Sequence, residues 1–235
     1  MAQVIIALDV PTLDEALGLV DSLGDGADFY KVGLELFTLE GPSVVRTLKR
    51  RHKHVFLDLK LHDIPNTVAR AVGRARELDV DLLTLHTTGG RSMMEAAAKA
   101  ASDRLTLLGV TVLTSMTHSD VENSWGRGID SIEEEVVRLA QLAQKSGLGG
   151  VVASVSEAAC IKEAVGSALV VVTPGIRLTG DDPHDQARVS TPAEAVAAGA
   201  DYLVIGRSVT QASDPADALR RIFEEMPGAS AVGTA

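Results

Sequence analysis

The chain has 235 residues, enough to bury a large core as one barrel or as two small domains. Its net charge of -10 argues against nucleic acid as a partner, and no apolar run approaches the roughly 18 residues of a membrane helix. The single cysteine, Cys160, excludes an internal disulfide, and the N-terminus lacks the features of a signal peptide, so we expect a cytoplasmic protein without a membrane partner.

Apolar runs alternate with amphipathic stretches from residue 4 onwards. Several of the runs are continuously apolar, as strands covered on both faces should be. The expected strands are residues 4–8, 29–32, 55–59, 82–85, 105–113, 150–153, 169–172 and 202–205. Helical periodicity between them indicates helices such as 12–23, 67–78, 91–101 and 132–144. Thr12 and Thr191 each precede a glutamate by three residues, which is typical of a helix start.

Eight strand–helix units in one chain of this length predict an α/β fold, a single (β/α)8 TIM barrel over residues 1–227. A doubly wound open sheet is the alternative. It is disfavoured because no Gly-x-Gly-x-x-Gly motif follows the first strand. Residues 228–235 are small and mostly uncharged, and we expect them to form a disordered tail.

Polar side chains follow nearly every expected strand. In a TIM barrel the chemistry takes place at the C-terminal ends of the strands, so these side chains should converge on one mouth. Random placement would scatter such side chains to both ends of the barrel, and their convergence therefore favours an enzyme. The residues concerned are Asp9, Lys31, Asp58, Lys60, His86, Thr114, Ser115, Thr117, Ser154, Arg177 and Arg207.

The most informative run is Asp-Leu-Lys-Leu-His-Asp-Ile-Pro-Asn-Thr at residues 58–67. Residues two apart in a strand point to the same face, so Asp58 and Lys60 should project side by side, with Asp63 arriving from the following loop. A structural ion pair is the plainer interpretation of Asp58 and Lys60. Three charges at a strand end serve little packing purpose, however, and would hold a lysine charged and aimed for proton donation.

The expected phosphate site lies after the last two strands. Gly206-Arg207-Ser208 follows strand eight, where barrels often bind phosphate, and Arg207 would add a fork of donors. The loop at residues 174–191 is long, polar and rich in aspartate, which is typical of a lid. Gln186 within this loop could reach a phosphate oxygen when the lid closes.

These motifs resemble the signature of the orotidine 5'-phosphate decarboxylase family. The likeness covers residues 3–224 and is carried by residues 58–67, with support from residues 7–9, 30–33, 113–115, 173–177 and 206–208. It implies a carboxy-lyase that converts orotidine 5'-monophosphate to uridine 5'-monophosphate and carbon dioxide, the last step of de novo pyrimidine nucleotide synthesis. It also implies that neither a metal nor another cofactor is needed.

The resemblance further implies a role for each matching residue. Lys60 would be the proton donor within a charge array of Lys31, Asp58 and Asp63. The neighbouring subunit would receive Asp63, Ile64 and Thr67 in its site, which implies a homodimer with two shared active sites. The residues implied to bind substrate are Asp9 and Lys31 at the ribose, Thr117 and Ser154 at the pyrimidine, Arg177, Gln186, Gly206 and Arg207 at the phosphate, and Asp58 and Pro174 beside them.

Two rival interpretations remain. A related lyase similar to hexulose-phosphate synthase or ketogulonate-phosphate decarboxylase would share the Asp-x-Lys-x-x-Asp run but require magnesium. The Leu-His before Asp63 and the Ile-Pro-Asn-Thr after it favour the pyrimidine enzyme. A nucleotide-binding barrel without catalysis is the second rival, and the charge array argues against it because buried charges are costly to a protein that does not use them.

Overall fold

Eight parallel strands close into a barrel in chain order in the computed structural model, which describes residues 2–178 and 190–226. The strands are β1 (Gln3–Ala7), β2 (Phe29–Val32), β3 (His54–Leu61), β4 (Leu82–His86), β5 (Thr106–Val110), β6 (Gly150–Val152), β7 (Val170–Ile176) and β8 (Tyr202–Ile205). The barrel closes through the pairing of β1 with β8. The prediction of a (β/α)8 barrel is therefore confirmed, and the open-sheet alternative is wrong.

Helices cover the outside of the barrel. They are α1 (Leu13–Leu23), α2 (Leu34–Glu40), α3 (Pro42–Arg50), α4 (Pro65–Glu77), α5 (Arg91–Ala101), α6 (His118–Trp125), α7 (Ile132–Lys145), α8 (Val155–Val165), α9 (Pro192–Ala197), α10 (Arg207–Thr210) and α11 (Pro215–Glu225). Thr12 and Thr191 cap α1 and α9 as predicted, each accepting a bond from the amide three residues on. Within the described residues, no helix is both long and apolar enough to cross a membrane.

The core has two layers, one inside the barrel and one between the strands and the helices. Successive strand residues alternate between them: Leu82 of β4 packs in the inner cluster, while Leu83 belongs to the outer one. The inner cluster consists of Ile5, Ala7, Phe29, Phe56, Leu82, Leu108, Val172 and Val204. A filled interior leaves space for a ligand only above the barrel, at the mouth.

Three strands differ from the predicted bounds by more than one residue near that mouth. The seventh was expected to end at residue 172, but β7 runs to Ile176 through a shift in register. The fifth was expected to reach residue 113, but β5 ends at Val110. The third was expected to end at residue 59, but β3 runs to Leu61 through a bulge. Apolar runs locate buried strands but carry no signal for a break in pairing, which explains all three errors. The expected tail at residues 228–235 lies outside the described residues.

Candidate active site

A cavity of about 530 Å³ opens at the C-terminal ends of the strands, within the size range of small-molecule sites. Its floor is apolar and its walls carry charge, a combination that holds an organic ring while orienting its polar groups. The floor residues are Ala7, Phe56, Val110, Val152, Val172 and Val204. The wall residues include Asp9, Lys31, Asp58, Lys60, Thr114, Pro174, Arg177, Gly206 and Arg207.

Four charged side chains from three strand ends form a chain of alternating sign along one wall. Lys31 Nζ lies 2.7 Å from Asp9 Oδ1 and 3.8 Å from Asp58 Oδ2. Lys60 Nζ lies 2.8 Å from each oxygen of Asp58. The two inner members, Lys31 and Asp58, are mostly shielded from solvent, so each compensates the other's cost of burial. Lys60 ends this series of charges, and its side chain lines the cavity.

The pairing of Asp58 with Lys60 was predicted, but the predicted geometry was wrong. Regular alternation along a strand does not operate here, because the register between β3 and β4 shifts between Leu57 and Leu61. Lys60 has a φ of 48°, the left-handed region that non-glycine residues rarely adopt. The bulge, rather than strand pleating, turns the ammonium group back onto the carboxylate.

Thr84 of β4 supports this bulge and was not predicted. Its Oγ1 accepts a hydrogen bond of 2.8 Å from the backbone N–H of Lys60 and donates one of 2.9 Å to Asp58 Oδ1. The residue is fully buried. A single threonine within an apolar strand has no sequence signal that would distinguish it from a packing residue.

Other residues at the mouth were also missed. Gly33, Leu34, Thr210 and Gln211 line the cavity. The first two lie at the start of α2 and the last two at the end of α10. A sequence pattern could have suggested Gly33, which follows Lys31 closely after β2, but nothing marks Thr210 or Gln211 as different from other helix-end residues.

The expected phosphate end is formed by β7, β8 and the start of α10. Arg177 is 6% exposed, and its Nη1 donates to the carbonyl of Ile176 at 3.1 Å. Arg207 is the first residue of α10 and lines the cavity together with Gly206 and Pro174. Gln186, the expected lid residue, lies outside the described residues.

Thr117 and Ser154 stand at the starts of two helices, and neither is among the described residues that line the cavity. Thr117 caps α6, and its hydroxyl and amide both donate to Asp120. These two bonds hold the pKa of Asp120 below its usual value. Ser154 is buried before α8, and its amide donates to Glu157 at 2.7 Å. A pyrimidine contact from Thr117 or Ser154 stays a prediction.

Asp63, Ile64 and Thr67 are exposed and do not line the cavity of their own chain as far as the structure describes it. Asp63 Oδ1 accepts a 2.6 Å bond from the amide of Ile64. Among the described residues, Lys60 forms its ion pair with Asp58 and none with Asp63. The described part of the single chain therefore brings together Asp58 and Lys60, two of the three members of the expected Asp-Lys-Asp array, and contact of Asp63 with Lys60 stays a prediction.

His86 ends β4 beside this array, with its ring centroid 5.4 Å from that of His62. Burial, followed by the influence of His62 and Lys60, holds the pKa of His86 below its usual value. The imidazole is therefore neutral near pH 7 and adds no charge to the wall. The described residues contain no group of three or more His, Cys, Asp or Glu side chains placed to hold a metal ion.

Comparisons with known proteins indicate one family for the whole barrel. A family model described as "Orotidine 5'-phosphate decarboxylase / HUMPS family" matches residues 2–222. The chain is 47% identical over 229 residues to the orotidine 5'-phosphate decarboxylase of Vibrio campbellii, covering 95% of this chain and 97% of that protein. It is 47% identical over 232 residues to that of Moorella thermoacetica, covering 95% and 92%. The crystal structure of orotidine 5'-phosphate decarboxylase from Lactobacillus acidophilus superposes with a TM-score of 0.85 at 34% identity, covering 97% of this chain and 100% of that one.

Proposed function

Because the chain belongs to the orotidine 5'-phosphate decarboxylase / HUMPS family, we propose that it converts orotidine 5'-monophosphate to uridine 5'-monophosphate and carbon dioxide. This reaction would complete de novo synthesis of the pyrimidine nucleotide in the cytoplasm. The main support for the proposal is the position of the Lys60 ammonium group, which is hydrogen-bonded to both oxygens of Asp58 at the wall of a ligand-sized cavity.

The proposed mechanism is electrostatic. The bond between carbon 6 of the pyrimidine and the carboxylate breaks, and its electron pair stays on carbon 6. Lys60 faces the developing negative charge and then delivers a proton from Nζ to carbon 6. One charge pair at about 4 Å and an effective dielectric constant of about 20 contributes about 4 kcal/mol. That corresponds to about three decades of rate, so binding of the rest of the substrate must supply more.

The proposed substrate contacts follow the length of the nucleotide. The ribose would lie against Asp9 and Lys31, whose ion pair fixes both side chains at the wall. The 5'-phosphate would lie beside Arg177 and Arg207, at the part of the cavity that two arginines share. Gly206, Pro174 and Gln186 would complete the phosphate end, and Thr117 and Ser154 would bind the pyrimidine.

A second copy of the chain would complete the site. We propose a homodimer in which Asp63, Ile64 and Thr67 enter the partner's cavity, so that the partner's Asp63 faces Lys60. The exposure of these residues in the single chain supports this arrangement, and Ile64 is 66% exposed although it is a large apolar residue.

The competing proposal is a lyase of the same fold that acts on a sugar phosphate with magnesium. The family model's description joins two names, so it does not separate these activities by itself. The relatives at 47% identity over nearly their full length are named orotidine 5'-phosphate decarboxylase, which favours the pyrimidine substrate. The proposed reaction needs no cofactor, and activity in excess chelator would distinguish the two.

The first experiment is to follow the loss of orotidine 5'-monophosphate absorbance with purified protein in excess EDTA. We expect full turnover in the wild type, none detectable in Lys60→Ala, and wild-type rates in the control Lys145→Ala, which alters an exposed lysine on α7. Lys60→Ala should still bind uridine 5'-monophosphate, because its phosphate contacts remain. A wild type without turnover would refute the function, whereas substantial turnover by Lys60→Ala would refute only the role of Lys60.

A further inference from the structure

Thr84 connects the backbone of Lys60 to the side chain of Asp58, and no other described contact does so. We propose that Thr84 is a positioning residue for the reaction: its hydroxyl holds the bulge that aims the Lys60 ammonium group and orients the carboxylate that binds it. The proposal rests on the proposed function, and it concerns a residue that the substrate does not touch.

The pairing of β3 with β4 is irregular at Thr84. Leu57 pairs with Leu83 and Leu61 pairs with Leu85, so residues 58–60 stand opposite one residue, Thr84. A bulge of this kind leaves backbone groups on the longer strand without ladder partners. Thr84 Oγ1 takes the place of a backbone carbonyl and accepts the Lys60 N–H at 2.8 Å. The left-handed φ of Lys60, 48°, is thus held by a side chain.

The hydroxyl group of Thr84 contacts both Lys60 and Asp58. A threonine hydroxyl has one proton and two lone pairs. Since Oγ1 accepts from the Lys60 amide, its proton is free to point at Asp58 Oδ1, which lies 2.9 Å away. Asp58 Oδ1 therefore receives one bond from Thr84 and one from Lys60 Nζ, and the carboxylate is held from two sides.

Thr84 is a buried residue of the barrel interior. It shares the inward face of β4 with Leu82, which packs in the inner core, and it is completely buried. It is absent from the described residues that line the cavity. A buried hydroxyl below the wall acts on a ligand only through the groups that it holds, so its influence must pass through Asp58 and Lys60.

Two substitutions at Thr84 distinguish the effect of its hydroxyl group from the effect of its side-chain shape. Thr84→Val keeps the branched shape and removes the hydroxyl, leaving the Lys60 amide without an acceptor. Thr84→Ser keeps the hydroxyl and removes one methyl group. We expect Thr84→Val to lower kcat by about 10- to 100-fold, the effect of losing a hydrogen bond to a charged group in the transition state. KM and the affinity for uridine 5'-monophosphate should change by less than about threefold, because the phosphate end is intact.

Thr87 provides a matched control. It is equally buried, lies just beyond β4, and its hydroxyl donates to the carbonyl of Val110 at 2.8 Å without contacting the charge array. Thr87→Val should lose folding stability as Thr84→Val does but keep the wild-type kcat. Thr84→Ser should recover kcat to within about threefold of the wild type.

The outcomes that oppose the proposal are distinct. Unchanged kcat in Thr84→Val would overturn it, as would an equal loss of kcat in Thr84→Ser or in Thr87→Val. If Thr84→Val does not fold, Thr84→Cys takes its place, since a thiol keeps the size but is a weak donor and acceptor. Thr84→Cys should show reduced kcat with unchanged product affinity, and wild-type kcat there would overturn the proposal. A wild type without turnover would instead refute the proposed function.

Discussion

The backbone at Gly33 lies against the Asp9–Lys31 ion pair. A Cβ atom there would lie 2.8 Å from Asp9 Oδ1 and 3.1 Å from Lys31 Nζ. The backbone of Gly33, with φ -90° and ψ -176°, is open to any residue, so the constraint is space rather than conformation. The atoms in the way are the ends of flexible side chains, which can move at small cost to folding but not without disturbing the charged wall.

Gly33→Ala should therefore affect activity far more than stability. We expect kcat/KM to fall by about 10- to 100-fold, because a displacement of about 1 Å in a catalytic array can cost that much. The free energy of unfolding should change by less than about 1 kcal/mol, since the lower entropy of the unfolded chain offsets a poorer start to α2. Steady-state kinetics and urea denaturation measure the two quantities.

Gly18→Ala is the control, because a Cβ atom there meets nothing within 4 Å inside α1. It should raise the free energy of unfolding by about 0.5 to 1 kcal/mol and leave kcat/KM unchanged. Wild-type activity in Gly33→Ala would show that the position of the Asp9–Lys31 pair does not matter for turnover.

Among single residues, the sequence predicted that four of the charged side chains meet at the mouth but not how they are held, and contact of Asp63 with them stays a prediction. Asp9, Lys31, Asp58 and Lys60 follow apolar strand runs, and parallel strands bring their ends to one edge, so the meeting follows from strand order alone. The bulge at Lys60 and its support from Thr84 depend on the register between two strands. Register arises from packing across the barrel, which a single sequence does not display.

Two aspartates brace the opposite rim of the barrel in the same way. The amide of Asp81 donates to the carbonyl of Val55, and its Oδ2 accepts the amide of Val55 at 2.7 Å. Asp201 makes both bonds with Val171, again with 2.7 Å to Oδ2. A lysine also reaches each carboxylate: Lys49 of α3 lies 3.0 Å from Asp81, and Lys162 of α8 lies 2.6 Å from Asp201. Each brace joins the starts of two adjacent strands, β3 to β4 and β7 to β8.

Asp81→Asn should destabilise the fold without affecting the reaction. Burial by itself would raise the pKa of Asp81, but hydrogen bonds from His54, the Val55 amide and Lys49 hold it below its usual value. The Asp81 carboxylate therefore contributes stability at pH 7, and we expect its loss to cost about 1 to 3 kcal/mol in urea denaturation. kcat/KM should be unchanged, because Asp81 lies at the end of the barrel away from the cavity.

The stability that the Asp81 carboxylate contributes should depend on pH. A depressed carboxyl pKa stabilises the native state above the unfolded pKa of about 4, and the contribution disappears as pH falls through the native pKa. The stability difference between wild type and Asp81→Asn should accordingly shrink below about pH 4. Asp79→Asn is the control, since the Asp79 side chain is 90% exposed, and it should change stability by less than about 0.5 kcal/mol. A difference that persists unchanged at low pH would assign the loss to packing.

At the scale of elements, strand positions were predictable because each strand is an apolar run between helix-start signals. Their C-terminal ends were harder to predict: β5 stops at Val110, β3 continues to Leu61 and β7 continues to Ile176. All three differences lie at the mouth, where backbone geometry departs from the regular ladder to present side chains to the cavity. A hydrophobic pattern indicates which residues are buried, whereas the backbone conformation of these strand ends is determined by other contacts.

At the scale of the whole molecule, the mouth of the single chain is rimmed by exposed apolar side chains. Leu34 is 55% exposed, Ile64 is 66% exposed and Leu113 is 36% exposed. Leu34 and Leu113 also line the cavity, so a surface that covers the rim would enclose the site as well. Eight alternating strand–helix units made the closed barrel predictable. In the proposed homodimer, a second copy of the chain would cover this rim.

A mixture of two inactive variants tests whether the site is shared. In a heterodimer of Lys60→Ala with Asp63→Ala, one cavity carries both changes, while the other has an intact Lys60 and receives the intact Asp63 of the partner. If Asp63 acts across the interface, random exchange of subunits should restore about a quarter of wild-type activity, since about half of the dimers then contain one intact site. Turnover measured after unfolding and refolding the two variants together, against each refolded separately, gives the result. If Asp63 serves its own chain, both cavities of the heterodimer are defective, and the mixture will be no more active than the average of its components.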